Sequence, residues 1–88
     1  MFMIEYSDNS GESFDDAIVI SGAENTSQGI AVEYQYIKDK YGEINTDWKR
    51  IRQRFKKHGD KAYDILTIKD KQENEIEIYF DITEFFGR

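Results

Sequence analysis

The stretch WKRIRQRFKKH, residues 48–58, carries six Lys or Arg residues together with the chain's one His. In an extended strand, alternate residues on one face lie about 6–7 Å apart, close to the spacing of successive phosphates in a nucleic acid. Trp48 at one end and Tyr63 on the next segment are of the type that stacks on bases. The first chemistry that these residues suggest is therefore nucleic-acid binding.

The charge of the whole chain argues against that interpretation. The net charge is −6, and residues 49–61 hold seven Lys or Arg against Asp60 alone, a local +6, so the remainder carries −12. Such an excess repels a polyanion over about a Debye length, roughly 8–10 Å, and nucleic-acid modules are usually basic overall. Nucleic acid is disfavoured as a partner and is kept as the alternative, with Arg50, Arg52 and Arg54 as its contacts.

Other chemistries find little support. His58 is the only histidine, there is no Cys, and every Ser lies in a turn or cap context, so we predict no catalytic residue and no enzyme. The acidic loop at 8–16 departs from an EF-hand because Gly11 comes two positions too early. The segment IVISGAENTSQG, residues 18–29, lacks the Lys of a phosphate-binding loop. We therefore predict no metal, no cofactor and no phosphate site.

One helix is predicted over about residues 26–41. Asn25 followed by Gln28 resembles a capping box, and Gly42 is placed to end the helix. Lys38 and Lys40 in the last turn complement the helix dipole. The apolar stripe recurs at helical spacing and consists of Ile30, Tyr34, Ile37 and Tyr41.

Strands are predicted on both sides of this helix. AIVI (17–20) is a compact β-branched run, AYDILTIK (62–69) is a second strand, and the segment 74–82 alternates apolar and acidic residues at period two. Residues 1–13 are expected to be flexible or to form an edge strand in which Phe2, Ile4 and Tyr6 alternate.

The cationic stretch fits two templates. As a helix over 46–58 it has an apolar stripe and Gly59 as a stop, whereas as a strand it alternates and turns through 58–61 into the next strand. We favour the strand, which completes a meander of 48–57, 62–69 and 74–82. The fold class is then α+β in the order β-α-β-β-β, one domain over 1–88 with the helix on one sheet face. The residues expected under the helix are Ile51, Phe55, Leu66, Ile68, Ile76, Ile78 and Phe80.

The opposite, outer face of the meander would carry a cationic row and an acidic row on either side of the central strand. Arg side chains could reach the Glu carboxylates two strands away, so the favoured explanation of the charges is pairing within the sheet. With the helix on the other face, the central strand is expected to be exposed between the rows. An apolar strip rimmed by opposite charges suits a two-fold contact, and we predict a homodimer, unless residues 1–6 cover this face. The predicted interaction residues are Trp48, Arg50, Arg52, Arg54, Tyr63, Ile65, Thr67, Glu75, Glu77 and Tyr79.

The composition indicates the cellular compartment in which the protein is expected. No stretch approaches the roughly 20 apolar residues of a membrane span, the N-terminus does not resemble a signal peptide, and Cys is absent. We expect a soluble cytoplasmic domain that binds protein, most simply another copy of itself.

Overall fold

Five strands and one helix make up the computed structural model, which describes residues 4–86. In chain order the elements are β1 (Glu5–Tyr6), β2 (Ile18–Ser21), α1 (Thr26–Tyr41), β3 (Trp48–His58), β4 (Lys61–Asp70) and β5 (Glu75–Asp81). The predicted order β-α-β-β-β is present from β2 onward, preceded by the edge strand β1, and the cationic stretch is a strand rather than a second helix. Tyr6 lies in the short edge strand β1, while Phe2 lies outside the described residues.

The strands form a single mixed sheet in the order β1-β2-β5-β4-β3. Strands β3, β4 and β5 make the predicted antiparallel meander, β2 runs parallel to β5, and β1 pairs antiparallel with β2. The parallel pair needs a crossover, and α1 lies in that connection, so that the helix returns across one face of the sheet. The result is the predicted two-layer α+β domain.

The ends of α1 follow from the residues at its caps. The Gln28 backbone N–H donates to Asn25 Oδ1 at 2.9 Å, and Gln28 Oε1 accepts from the Glu24 backbone N–H at 2.8 Å. At the other end, the Gly42 N–H donates to the Lys38 carbonyl at 3.0 Å. The predicted helix is confirmed in both position and capping.

The core lies between α1 and the sheet. Leu66 and Ile68 from β4 and Ile78 and Phe80 from β5 are buried there, as predicted. The side of α1 that is buried is rotated slightly from the predicted stripe. It consists of Gly29, Glu33, Tyr36 and Ile37.

A β-bulge in β3 changes the predicted faces of this strand. The register shifts between Arg50 and Arg52, and Ile51 is left without a partner on β4. One extra residue reverses the alternation, so residues before the bulge face the opposite way from a regular strand. Trp48 and Arg50 therefore lie on the helix side, and the prediction that both belong to the outer face is wrong.

Trp48 is consequently a core residue and not an exposed one. Its ring is stacked on Tyr34 of α1 at 6.2 Å between centroids, and its Nε1–H donates to the Gly42 carbonyl at 2.8 Å. Arg50 Nη1 donates to Tyr34 Oη at 3.3 Å. Conversely, Ile51 is 42% exposed and Phe55 is 50% exposed. The prediction that the helix covers these two side chains is therefore wrong.

Candidate interaction site

The two charged rows of the outer sheet face meet within one chain. Arg52 Nη2 lies 3.2 Å from Glu75 Oε1, and Arg54 Nη2 lies 3.0 Å from Glu77 Oε2. Both pairs reach across the central strand β4. Their side chains are about half exposed, so each pair contributes about 0.2–1 kcal/mol at most. The expectation that cationic and acidic rows pair within the sheet is confirmed.

The central strand between these rows is buried. Tyr63, Ile65 and Thr67 are 5%, 2% and 1% exposed, and the prediction that they form an exposed strip is wrong. The strand register explains part of the burial of these side chains. Arg54 lies opposite Ile65 and pairs with Glu77, which lies opposite Thr67. The ion pair therefore passes over the central strand.

Phe14 supplies the rest of this cover. Its ring lies 4.9 Å from Tyr63 and 5.0 Å from Tyr79 between centroids, and it stacks on His58 at 4.3 Å. Phe14 belongs to the loop between β1 and β2, so this loop packs on the outer face. The alternation of β4 and β5 indicated correctly which residues lie on the outer face, but it contained no signal for the loop that covers them.

Strand β3 is the long exposed edge strand of the sheet. Ten of its eleven residues are exposed, and within the described chain its only strand neighbour is β4. The Trp48 carbonyl on its second edge accepts from the Asn45 N–H at 2.6 Å, and beyond Trp48 no other strand of the described residues pairs with this edge. The Lys and Arg residues of β3 are of the kind that discourage uncontrolled edge-to-edge association.

A cleft lies on the helix side of β3, and no part of it was predicted as a site. It has a volume of about 330 Å³. We call it the acid cleft, because two buried carboxyls line it: Glu33 of α1, which is 1% exposed, and Asp64 of β4, which is 5% exposed. A signal was present in the sequence. Glu33 lies among the apolar positions of the helix, and Asp64 alternates with Leu66 and Ile68 in a buried strand.

The two acids differ in their hydrogen bonds. Asp64 Oδ2 accepts from Gln53 Nε2 of β3 at 2.7 Å. The carboxyl oxygens of Glu33 are sealed from solvent, and no N–H group among residues 4–86 donates a hydrogen bond to either of them. Burial raises the pKa of Glu33 to about 10, and a hydrogen bond with the Asp64 carboxyl and the charge of that carboxyl add to the rise. Glu33 is therefore a neutral acid at physiological pH.

Aromatic rings form the walls and the mouth of the acid cleft. Phe85 is buried against Gly29 of α1, while Phe55 and Phe86 stack on each other at 4.8 Å and are 50% and 46% exposed. Lys57 Nζ lies 6.0 Å from the centroid of Phe86. The mouth is therefore an exposed apolar surface beside the edge of β3.

No protein-family model, curated protein or solved structure matches the chain. Among residues 4–86, no group of three His, Cys, Asp or Glu side chains is placed to hold a metal ion. In the same part of the chain, the helix is neither long enough nor apolar enough to cross a membrane.

Proposed function

We propose that this protein is a protein-interaction domain and that a partner chain binds along the free edge of β3. The observation that carries the proposal is the long exposed edge: the ten residues of β3 after Trp48 are exposed and have a strand neighbour on one side only in the described structure. An extended segment can add to such an edge by backbone hydrogen bonds, and side chains then provide specificity. The exposed Ile51 and Phe55 on β3 offer apolar contacts for such a segment.

The charge of β3 indicates the chemistry of the partner. Lys and Arg occupy six of its eleven positions, and all six are exposed. An extended segment that alternates acidic and apolar residues complements this edge and approaches it under electrostatic attraction. We place the interaction in the cytoplasm, in keeping with a sequence without Cys.

A second copy of the chain is the first partner to test. The remainder of the molecule carries −12 against the local +6 of residues 49–61, so copies carry complementary surfaces. Self-association through the outer sheet face stays a prediction, and it now depends on the exposed charged rows rather than on an apolar strip. Attraction of this kind weakens as salt is added.

Light scattering over concentrations of about 1–100 μM tests self-association. We expect the mass to rise towards that of a dimer with concentration and to fall with added salt. Lys56→Glu, on β3, should weaken association, whereas Lys38→Glu makes the same charge change on α1 and should leave it intact. A monomer at every concentration and salt level would contradict self-association.

Selection from a random library of displayed decapeptides tests binding to other proteins. We expect enrichment of extended sequences that alternate acidic and apolar residues, with NMR shift changes concentrated in β3. Lys56→Glu should weaken the selected peptides and Lys38→Glu should not. If no sequence is enriched, or if the shifts map away from β3, the proposed edge interaction is wrong.

A further inference from the structure

The two faces of β3 differ in chemistry after the bulge. On the helix side the strand presents Gln53 and Phe55, which lie opposite Leu66 and Asp64 of β4, and Phe55 lines the acid cleft. On the outer face it presents a row of basic side chains, which consists of Arg52, Arg54, Lys56 and His58. A strand that pairs with the free edge of β3 therefore meets the basic row with one of its faces and the cleft with the other.

The acid cleft offers apolar rather than charged surface to such a strand. Its two carboxyls are engaged with each other, because Glu33 is hydrogen-bonded to the Asp64 carboxyl, and Asp64 also accepts from the Gln53 amide. The carboxyl oxygens of Glu33 are sealed from solvent. The surface left to a ligand belongs mainly to apolar side chains, which are Ile30, Phe55, Ile82, Phe85 and Phe86.

The size of the cleft suits one large side chain. Its volume of about 330 Å³ lies at the lower end of the range for small-ligand pockets. Phe55 and Phe86 at its mouth are exposed and stacked on each other. An apolar side chain that packs against these rings removes apolar surface from water on both partners, which favours binding.

An added strand brings a side chain to this place. Neighbouring strands lie about 4.8 Å apart, and residues that pair across them point to the same face. The partner residue beside Phe55, which we call the anchor, therefore points to the helix side and the cleft. Its two chain neighbours point to the outer face, where Arg54 and Lys56 lie. Consecutive residues of one extended segment thus reach both the cleft and the basic row.

From this arrangement we infer that the acid cleft is the specificity pocket of the β3 edge and takes a large apolar anchor flanked on both sides by acidic residues. The inference rests on the proposed binding of a partner along β3 and adds the identity and register of the anchor. An acidic anchor is disfavoured, since its charge would be buried beside Asp64. A slip of one residue would exchange the two faces of the partner, so the register is determined.

The chain's own sequence indicates that the occupant belongs to a different protein. Its one triplet of an acid, a large apolar residue and an acid is Glu75-Ile76-Glu77. This triplet lies in β5, which has strand neighbours on both sides, β2 and β4. A second folded copy therefore does not present it to the β3 edge.

Calorimetry and NMR shifts with blocked nonapeptides test the inference. The host peptide has Glu at every second position, Thr between them and Leu at the centre. One control has Thr at the centre, and the other exchanges the Leu with a neighbouring Glu, which keeps composition and charge but moves the Leu to the other face. We expect the host peptide to bind roughly tenfold more tightly than either control and to shift the resonances of Ile30, Phe55 and Phe86.

Two changes in the protein locate the anchor. Phe86→Ala removes a wall of the cleft at an exposed position, and Ile30→Trp fills the cleft from the helix. Each should lower the affinity ratio of the Leu peptide to the Thr peptide towards one, while the Thr peptide still binds along β3. Ile51→Ala removes a similarly exposed apolar side chain of β3 outside the cleft and should leave the ratio unchanged. Circular dichroism shows that each variant is folded, and Phe86→Ala alone decides if Ile30→Trp is not.

The outcomes separate this inference from the proposed function. If the Thr peptide shifts β3 resonances and Leu at the centre gives no gain, binding along the edge stands and the inference is wrong. It is also wrong if the exchanged peptide binds as tightly as the host peptide, or if Phe86→Ala leaves the affinity ratio unchanged. If no peptide shifts the resonances of β3, both the inference and the proposed edge interaction are wrong.

Discussion

Glu33 couples the stability of the domain to pH. Its pKa is about 10 in the folded chain and near 4.5 when it is solvated, so between these values the folded state holds a proton that the unfolded state has lost. The unfolded state therefore gains relative stability as pH rises, by up to about 1.4 kcal/mol for each pH unit. Below pH 4.5 both states are protonated, and the loss is absent.

Glu33→Gln tests this coupling. The amide keeps the size of the neutral acid but has no proton to lose, so the variant should be more stable than the native chain at pH 7, by on the order of 3 kcal/mol. The advantage should grow towards pH 9 and disappear near pH 4. Urea denaturation at pH 4, 5, 7 and 9 measures it, with Glu12→Gln in an exposed loop as the control. Parallel profiles for all three proteins would show that Glu33 is ionised in the fold.

At the scale of the element, the bulge at Ile51 allows one strand to serve both faces of the sheet. It turns Trp48 into the core while Arg52 and Arg54 face outward to their Glu partners. Deleting Ile51 restores a regular alternation along β3. Trp48 can then no longer lie in the core while Arg52 and Arg54 lie on the outer face. We expect a loss of about 3–5 kcal/mol, the range for losing a buried aromatic side chain.

The single Trp of the chain reports this change directly. In the deletion variant, Trp48 emission should move to longer wavelength as the ring becomes exposed, and the urea midpoint should fall. Ile51→Thr keeps the bulge and changes only a half-exposed side chain, so its emission should match that of the native protein. A deletion variant with native emission and native stability would mean that the loop at 42–47 absorbs the shift.

The helix and strands could be predicted from the sequence wherever the spacing of apolar residues is regular and no β-bulge adds a residue. The helix over 26–41 and the three strands of the meander follow from spacing and caps that hydrogen bonds confirm. The bulge could not be predicted. In WKRIRQRF the Trp and the three Arg residues stand at every second position, as in a regular strand, and Ile51 is an ordinary strand residue. Glu33 and Asp64 each stand out as acids within an apolar pattern, but the acid cleft was missed because α1, β4 and the C-terminal turn (residues 83–86) have to meet to form it, and no local pattern encodes that meeting.

The C-terminal turn (residues 83–86) packs closely against α1 at Gly29. Gly29 is the fourth residue of the helix, and a Cβ at this position would overlap the ring of Phe85. Gly29→Ala improves helix propensity by about 1 kcal/mol, yet we expect a net loss of about 1–3 kcal/mol, because the ring must move.

Ser27→Ala is the matched control for this change, since it lies on an exposed position of the same helix and alters propensity alone. Combining Gly29→Ala with Phe85→Leu should cost less than the sum of the two single changes, because the smaller side chain relieves the overlap. Urea denaturation of the four variants gives the coupling. If the losses in unfolding free energy are additive, or if Gly29→Ala is more stable than the native chain, the turn moves away from residue 29 at little energetic cost.

At the scale of the whole molecule, the position of the charges decides whether the domain can bind nucleic acid. Two of the three proposed contacts, Arg52 and Arg54, are paired with Glu75 and Glu77, and Arg50 is turned towards Tyr34 on the helix side. A phosphate backbone would have to displace these partners. It would also have to approach a molecule whose charge outside residues 49–61 is −12.

We therefore expect no binding of a fluorescent oligothymidine by anisotropy, even at about 50 mM salt, where counterion release favours association. Glu75→Gln with Glu77→Gln frees both Arg side chains and lowers the acidic excess, so this double variant is the one in which weak, salt-sensitive binding should appear. If the native chain does not bind, this variant shows whether the acidic row prevents binding or whether β3 has no surface for nucleic acid. Binding by the variant alone would show that the acidic row suppresses a nucleic-acid surface. Binding by the native chain that falls steeply with salt and is lost in Arg50→Ala/Arg52→Ala/Arg54→Ala would instead establish nucleic acid as the partner of β3.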